Sequence, residues 1–299
     1  MTTTPWRGIL TATALPFTAD GAVDFDRYGE HVAWLCQNGS DGVVCNGSLG
    51  EYQTLTSEER AKVVETAVAA ASANGGVVVP GVAAYGAQES RRWTEQAADA
   101  GAVAVMLLPP NAYRADDRIV VEHYREVAKA GMSIVAYNNP YDTKVDLTPR
   151  LLGEIFGEGL IVAVKEFSGD PRRAYEIAEY APGLDVIIGS DDVVLELAMA
   201  GAQGWIAGYT NAFPSASRTL YDACMEMDLD TALPLYRLMH PLLRWDSKTE
   251  FVQAIKLSMD MVGQYGGPCR PPRLPLTVEQ ESVVRAATQA AIDAGLATA

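Results

Sequence analysis

Lys165 closes "IVAVK" (161–165), an apolar run that reads as a strand buried on both faces. An ammonium is costly in such a place. Burial disfavours the charged form and lowers a lysine's pKa, and the neutral amine so produced attacks an electrophilic carbon to give a protonated imine. One unit upstream, "SIVAYNNP" (133–140) carries Tyr137 near the end of another strand-like run. Period two along each strand puts Lys165 with Ala163 and Ile161 on one face, and Tyr137 with Val135 and Ser133 on one face. If the two strands are parallel neighbours, lysine and tyrosine stand side by side, roughly 5 Å apart. A phenol there can move protons to and from a carbinolamine. The pair predicts Schiff-base chemistry. A second reading stays open: a lysine whose stem packs inside while its head pairs with Glu166 or another carboxylate.

Three further stretches could serve such a site. In "NGSLGE" (46–51), Gly47 and Gly50 permit a tight turn whose backbone N–H groups converge on an anion such as a carboxylate, with the Ser48 hydroxyl as an added donor. A plain turn explains the same residues. "GSDD" (189–192) reads as a helix start with Asp191 and Asp192 at its positive end. "GWIAGYTNAFP" (204–214) puts Ile206 and Gly208 on one side of a strand, as a pocket wall and room for a substrate; core packing is the alternative. His31, His123 and His240 are scattered, and Cys36, Cys45, Cys224 and Cys269 form no CxxC pair, so neither a metal nor a disulfide framework is expected, and no cofactor is implied.

Positioning these residues needs a repeating scaffold. Eight apolar runs recur, at 8–17, 42–46, 77–83, 102–109, 133–139, 161–167, 185–190 and 204–210, separated by segments of helical periodicity such as Phe25, Tyr28, Val32 and Leu35 behind Asp24 as N-cap. Thr56 with Glu59 predicts a capping box, and "TPR" (148–150) and "DPR" (170–172) each place a cap residue before a proline at the first helical position. Eight strands all buried on both faces, at a period of roughly 30 residues, predict an α/β fold of the (β/α)8 barrel type rather than a doubly wound sheet. The barrel is expected over residues 1–225. A helical extension over 226–299 follows, with helices at about 230–245, 249–264 and 277–295 around the "GGPCRPPRLP" (266–275) linker. Val252, Ile255 and Met259 give that extension an apolar face to bury against the barrel or a neighbouring subunit.

With 48% hydrophobic and 20% charged residues in 299, the chain has material for a large core, and its net charge of −15 repels nucleic acid and anionic membranes. An anionic substrate would need a local positive centre. The N-terminus lacks a leader pattern and no run is long enough to span a bilayer, so a cytoplasmic protein is expected.

Together "GSLGE", "YNNP", "VKEFSGD", "GSDD" and "GWIAGYTNAFP", in this order and spacing from about Trp6 to Thr288, resemble the dihydrodipicolinate synthase and N-acetylneuraminate lyase family, class I aldolases that form an imine with a 2-oxo acid. The resemblance implies that Lys165 forms the imine, that Tyr137 transfers protons and that Ser48 is the first hydroxyl of the carboxylate loop. Ile206 matches a residue beside the imine, and with Gly47, Leu49, Gly189 and Asn111 makes up the expected substrate-binding set. It also implies a small-molecule substrate and a homotetramer built as a dimer of dimers.

Three positions depart from the synthase pattern. Leu49 replaces a second hydroxyl in the loop, and Asn111 stands where the synthase has an interface tyrosine, with Tyr113 as a candidate replacement. Asp142 stands where the synthase has an arginine two residues after the "YNxP" proline, which disfavours a second anionic substrate. "YNNP…VDLTP", "KEFSGDPRR" and "GWIAGYTNAFP" are more similar to the branch that deaminates 1-pyrroline-4-hydroxy-2-carboxylate. A 4-hydroxy-tetrahydrodipicolinate synthase and an aldolase or dehydratase of 2-oxo-3-deoxy sugar acids are the alternatives within the family. A non-catalytic 2-oxo acid sensor is the alternative outside enzymes.

Overall fold

The computed structural model describes residues 4–297. Each of the eight apolar runs contains a parallel strand: β1 (Gly8–Ala12), β2 (Gly42–Val44), β3 (Val77–Val78), β4 (Val105–Leu107), β5 (Ile134–Asn138), β6 (Ala163–Glu166), β7 (Asp185–Ile188) and β8 (Gly204–Ala207). They are hydrogen-bonded in the order β3-β2-β1-β8-β7-β6-β5-β4. A parallel bridge from Gly81 to Met106 joins the two ends, with the Met106 N–H donating to Pro80 O at 2.9 Å and the Val82 N–H to Met106 O at 3.0 Å. Helices follow the strands around the outside, which is the expected (β/α)8 barrel. The strands are shorter than the runs that predict them. β3 keeps two residues because Pro80, lacking an N–H, cannot continue the ladder.

Register fixes which side chains share the interior. Tyr137 pairs with Lys165, Lys165 with Ile187, and Ile187 with Gly204, so these positions lie on one face of neighbouring strands. Beneath them, Val135 pairs with Ala163 and Ala163 with Asp185. Asp185 closes the lower end of the barrel, accepting from Trp6 Nε1 at 2.8 Å and from Arg7 Nε at 3.0 Å. At the opposite end Asn211 ties β8 to β1: its Nδ2 donates to Ala12 O and to Gly208 O, both at 2.7 Å, and its Oδ1 accepts from Ala14 N at 3.0 Å.

Helix starts follow their cap chemistry. Asp24 accepts from Arg27 N ahead of the helix Phe25–Gln37, Thr56 and Glu59 form the capping box of Ser57–Ala73, and Thr148 caps Pro149–Gly157. In "DPR" the helix begins one residue later than expected, at Arg172, and Asp170 still accepts from Arg172 N at 3.1 Å. Beyond the eighth strand come helices Pro214–Met225, Leu229–Leu243, Phe251–Met261 and Val278–Asp293. Val252, Ile255, Met259 and Val284 are buried in the same apolar core as Trp205 and Ile206 of β8. Among the described residues, no helix is long and apolar enough to cross a membrane.

Candidate active site

Strand ends, the loops after them and segments of the C-terminal helical region, among them residues 246–249 and Arg273, enclose a cavity of about 820 Å³ at the C-terminal mouth of the barrel. Lys165 reaches it from β6 and Tyr137 from β5. The Lys165 Nζ lies 4.5 Å from the Tyr137 ring centroid and 5.7 Å from that of Phe167. It makes no hydrogen bond or ion pair with any described residue. Burial lowers its pKa, against the opposing pull of Asp246 and Asp191. The inert reading with Glu166 as partner is overturned. Period two turns Glu166 to the outer face, where it accepts from Asn138 Nδ2 at 3.0 Å, Ser168 N at 2.6 Å and Arg173 Nε at 3.2 Å.

The Tyr137 hydroxyl accepts from Asn139 Nδ2 at 3.3 Å. That amide nitrogen also donates to Asp142 Oδ2 at 2.9 Å, while Asp142 N donates back to Asn139 Oδ1 at 3.2 Å. Asn139, the second asparagine of "YNNP", therefore links the phenol to the Asp142 carboxylate. Burial raises the Tyr137 pKa and the charge of Asp246 raises it further, so the hydroxyl is a proton donor rather than a phenolate.

Gly47, Ser48, Leu49 and Asn111 line the same cavity. The turn that shapes the loop differs from expectation. The left-handed residues are Asn46 (φ 53°) and Glu51 (φ 52°), not the glycines. Glu51 is held there by a fully buried ion pair: its Oε1 accepts from Lys256 Nζ at 2.9 Å and its Oε2 from Arg270 N at 2.9 Å. Inside the turn, the N–H groups of Ser48 and Leu49 donate to no described protein acceptor, which leaves them for an anion.

Gly189 and Ile206, expected at the substrate, do not line the cavity. A Cβ on Gly189 would stand 2.3 Å from Glu166 O and 3.1 Å from Lys165 Cγ, so this glycine makes room for the lysine stem. Ile206 fills the barrel interior opposite Leu10. Of β8 and its end, Gly208 reaches the cavity wall, and the space it leaves is taken by protein: a Cβ there would stand 2.5 Å from Asp246 Oδ1. Tyr113 is exposed and does not line the cavity; Tyr52 is the phenol beside Asn111. Arg60 supplies a cation to the wall, between the Tyr52 and Trp93 rings at 5.2 and 4.6 Å, and burial lowers its pKa to about 10.

Asp191 and Asp246 carry the largest surprise. Asp191 does begin a short helical turn, but its side chain is buried, accepting from Trp205 Nε1 at 2.9 Å, Gly208 N at 3.1 Å and Tyr209 N at 2.8 Å. Asp246 comes from the loop after Leu229–Leu243 and lines the cavity with Lys165. Nothing in "LLRWDSKTE" marks it; only long-range packing brings it to the mouth.

The model of the dihydrodipicolinate synthetase family matches residues 5–291. A 4-hydroxy-tetrahydrodipicolinate synthase of Methanothrix thermoacetophila is 33% identical over 283 residues, covering 94% of this chain and 95% of that protein. Another, of Acidothermus cellulolyticus, is 30% identical over 94% of this chain and 91% of its own length. Among solved structures, the dihydrodipicolinate synthase from Aquifex aeolicus superposes with a TM-score of 0.90 at 27% identity, covering 98% of this chain and 99% of that one. A Ruminococcus gnavus sialic acid aldolase catalytic lysine mutant shares the fold, with a TM-score of 0.89 at 21% identity over 97% of both chains.

Proposed function

This chain belongs to the dihydrodipicolinate synthetase family of lysine Schiff-base lyases, and from that premise we propose that it deaminates 1-pyrroline-4-hydroxy-2-carboxylate, with Lys165 as the imine-forming amine and Tyr137 as a proton-transferring phenol. The bare Lys165 amine beside a protonated phenol supports the coarse chemistry. The observation that carries the substrate choice is Asp142 on the cavity wall, hydrogen-bonded through Asn139 to the Tyr137 hydroxyl. A condensing partner with its own carboxylate would meet an anion there, whereas the pyrroline has one carboxylate, for which Ser48 and the free N–H groups of its loop are suited.

In this reading the Lys165 nitrogen bonds to C2 of the cyclic imine and the bond from C2 to the ring nitrogen breaks. Proton loss at C3 expels the C4 hydroxyl, and hydrolysis releases ammonia and 2-oxoglutarate semialdehyde. Assembly as a homotetramer belongs to the same proposal, and light scattering should then give the mass of four 32.0 kDa chains.

A second reading, 4-hydroxy-tetrahydrodipicolinate synthase, is favoured by the names of the relatives and by Arg60, a wall cation that could take a second carboxylate. Purified protein supplied separately with the pyrroline, with pyruvate plus aspartate semialdehyde, and with 2-oxo-3-deoxy sugar acids separates the cases. Ammonia release from the pyrroline is expected. Condensation with the semialdehyde, or pyruvate release from a sugar acid, would replace the proposal with the corresponding activity, and tight binding without turnover would make the protein a sensor.

A further inference from the structure

We propose that Asp246, delivered by the C-terminal extension, is a catalytic acid–base group that works on the Lys165 adduct at the carbon beside the imine. The proposal rests on the Schiff-base reading of Lys165 and goes beyond it.

Three observations converge on Asp246. Gly208 is the residue of the β8 end that permits its approach, since any β-carbon there would collide with Oδ1 at 2.5 Å and with Ile255 Cδ1 at 3.1 Å. Its carboxylate is buried yet lines the cavity holding the lysine. It is also nearly bare: its hydrogen bond within the described protein is a long one, from Asp191 N at 3.4 Å. Asp191 next door has three strong donors and little freedom. Of two adjacent buried carboxylates, Asp191 is thus held in place by three donors while burial raises its pKa to about 6, and Asp246, on the cavity wall, is left with one long contact.

The groups facing Asp246 set its proton affinity. Burial and the charges of Asp191 and Asp192 push its pKa well up, Lys165 opposes them, and Asp246 in turn raises the pKa of Tyr137 and Tyr209. These opposed shifts favour passage of a proton from the amine to Asp246, the state in which Lys165 attacks. As Lys165 bonds to the substrate carbon, that proton goes to the departing oxygen or nitrogen, leaving a carboxylate beside a new iminium cation. The carboxylate then takes a proton from C3; the C3–H electron pair becomes the C2–C3 double bond and the nitrogen is neutralised. Returning the same proton to a C4 hydroxyl lets the C4–O bond break with loss of water and regenerates the iminium. Atoms and charge balance at each step with no further reagent.

The test uses pyruvate as probe in the full-length protein and reads two quantities. Borohydride trapping measures the adduct on Lys165, and proton NMR in D2O measures exchange of the pyruvate methyl hydrogens. Wild type should show both. Asp246→Asn should trap pyruvate to the wild-type extent after equilibration while exchange falls on the order of 100-fold, and Asp246→Glu should recover part of it. The trapped adduct shows that the variant has folded. Exchange within about threefold of wild type in a trapping-competent Asp246→Asn protein would overturn the proposal. Absence of any adduct on wild-type Lys165 would instead overturn the Schiff-base reading, and the proposal with it.

Discussion

At Lys165 and Asp246, burial acts on two charges of opposite sign in opposite directions. It lowers the proton affinity of the amine and raises that of the acid, so the two converge. The sign of one consequence is fixed. Asp246 holds the lysine pKa up, and removing its charge lets burial act less opposed, so in Asp246→Asn the acid limb of the trapping rate should move to lower pH. Rate profiles with pyruvate and borohydride measure this, and a shift to higher pH would show that the lysine does not feel the carboxylate. Tyr137→Phe should keep adduct formation and lower turnover by about 10²- to 10⁴-fold. Lysine and tyrosine were legible in the sequence because period two in a buried strand leaves a polar side chain few places to go. Asp246 was not, because its position depends on a contact with a glycine at the far end of β8, and no local pattern encodes a contact of that kind.

Among elements, the loop from Asn46 to Glu51 is shaped from outside itself. Its glycines suggested a self-sufficient turn, yet the backbone conformation that defines it is taken up by two non-glycine residues, and one of them is pinned by Lys256 from the helix Phe251–Met261. Lys256 also donates to Pro268 O at 2.8 Å, and Arg270 pairs with Glu59 of the capping box. Lys256→Met leaves the Glu51 charge buried without its cation and should destabilise the fold by about 3–5 kcal/mol in urea unfolding. Adding Glu51→Gln should restore part of that loss. Loss of less than about 1 kcal/mol in the single variant would mean that water reaches Glu51. Strand and helix positions were readable from apolar runs and cap residues, whereas strand ends were not, since hydrogen bonding stops where a proline or a neighbour's length stops it.

For the whole molecule, the net charge of −15 surrounds a cavity that, on the proposed function, takes an anion. Screening that field should raise kcat/KM for a 2-oxo acid or pyrroline carboxylate, by a factor on the order of two to five between 20 and 200 mM salt. A fall would place the controlling charges inside the site, where Arg60 is the cation on the wall. The barrel was readable because eight doubly buried strands admit few other arrangements, while the extension showed only as helices with an apolar face. Its role in the site emerges from packing alone.

Asp246 lies beyond the eighth strand, so during synthesis the ribosome releases the lysine long before the group that would govern its protons. On the proposed role of Asp246, a nascent chain that has completed its ring of strands still lacks the group for the elimination step. The elimination step then waits for the last quarter of the polypeptide, which brings Asp246 to the cavity wall.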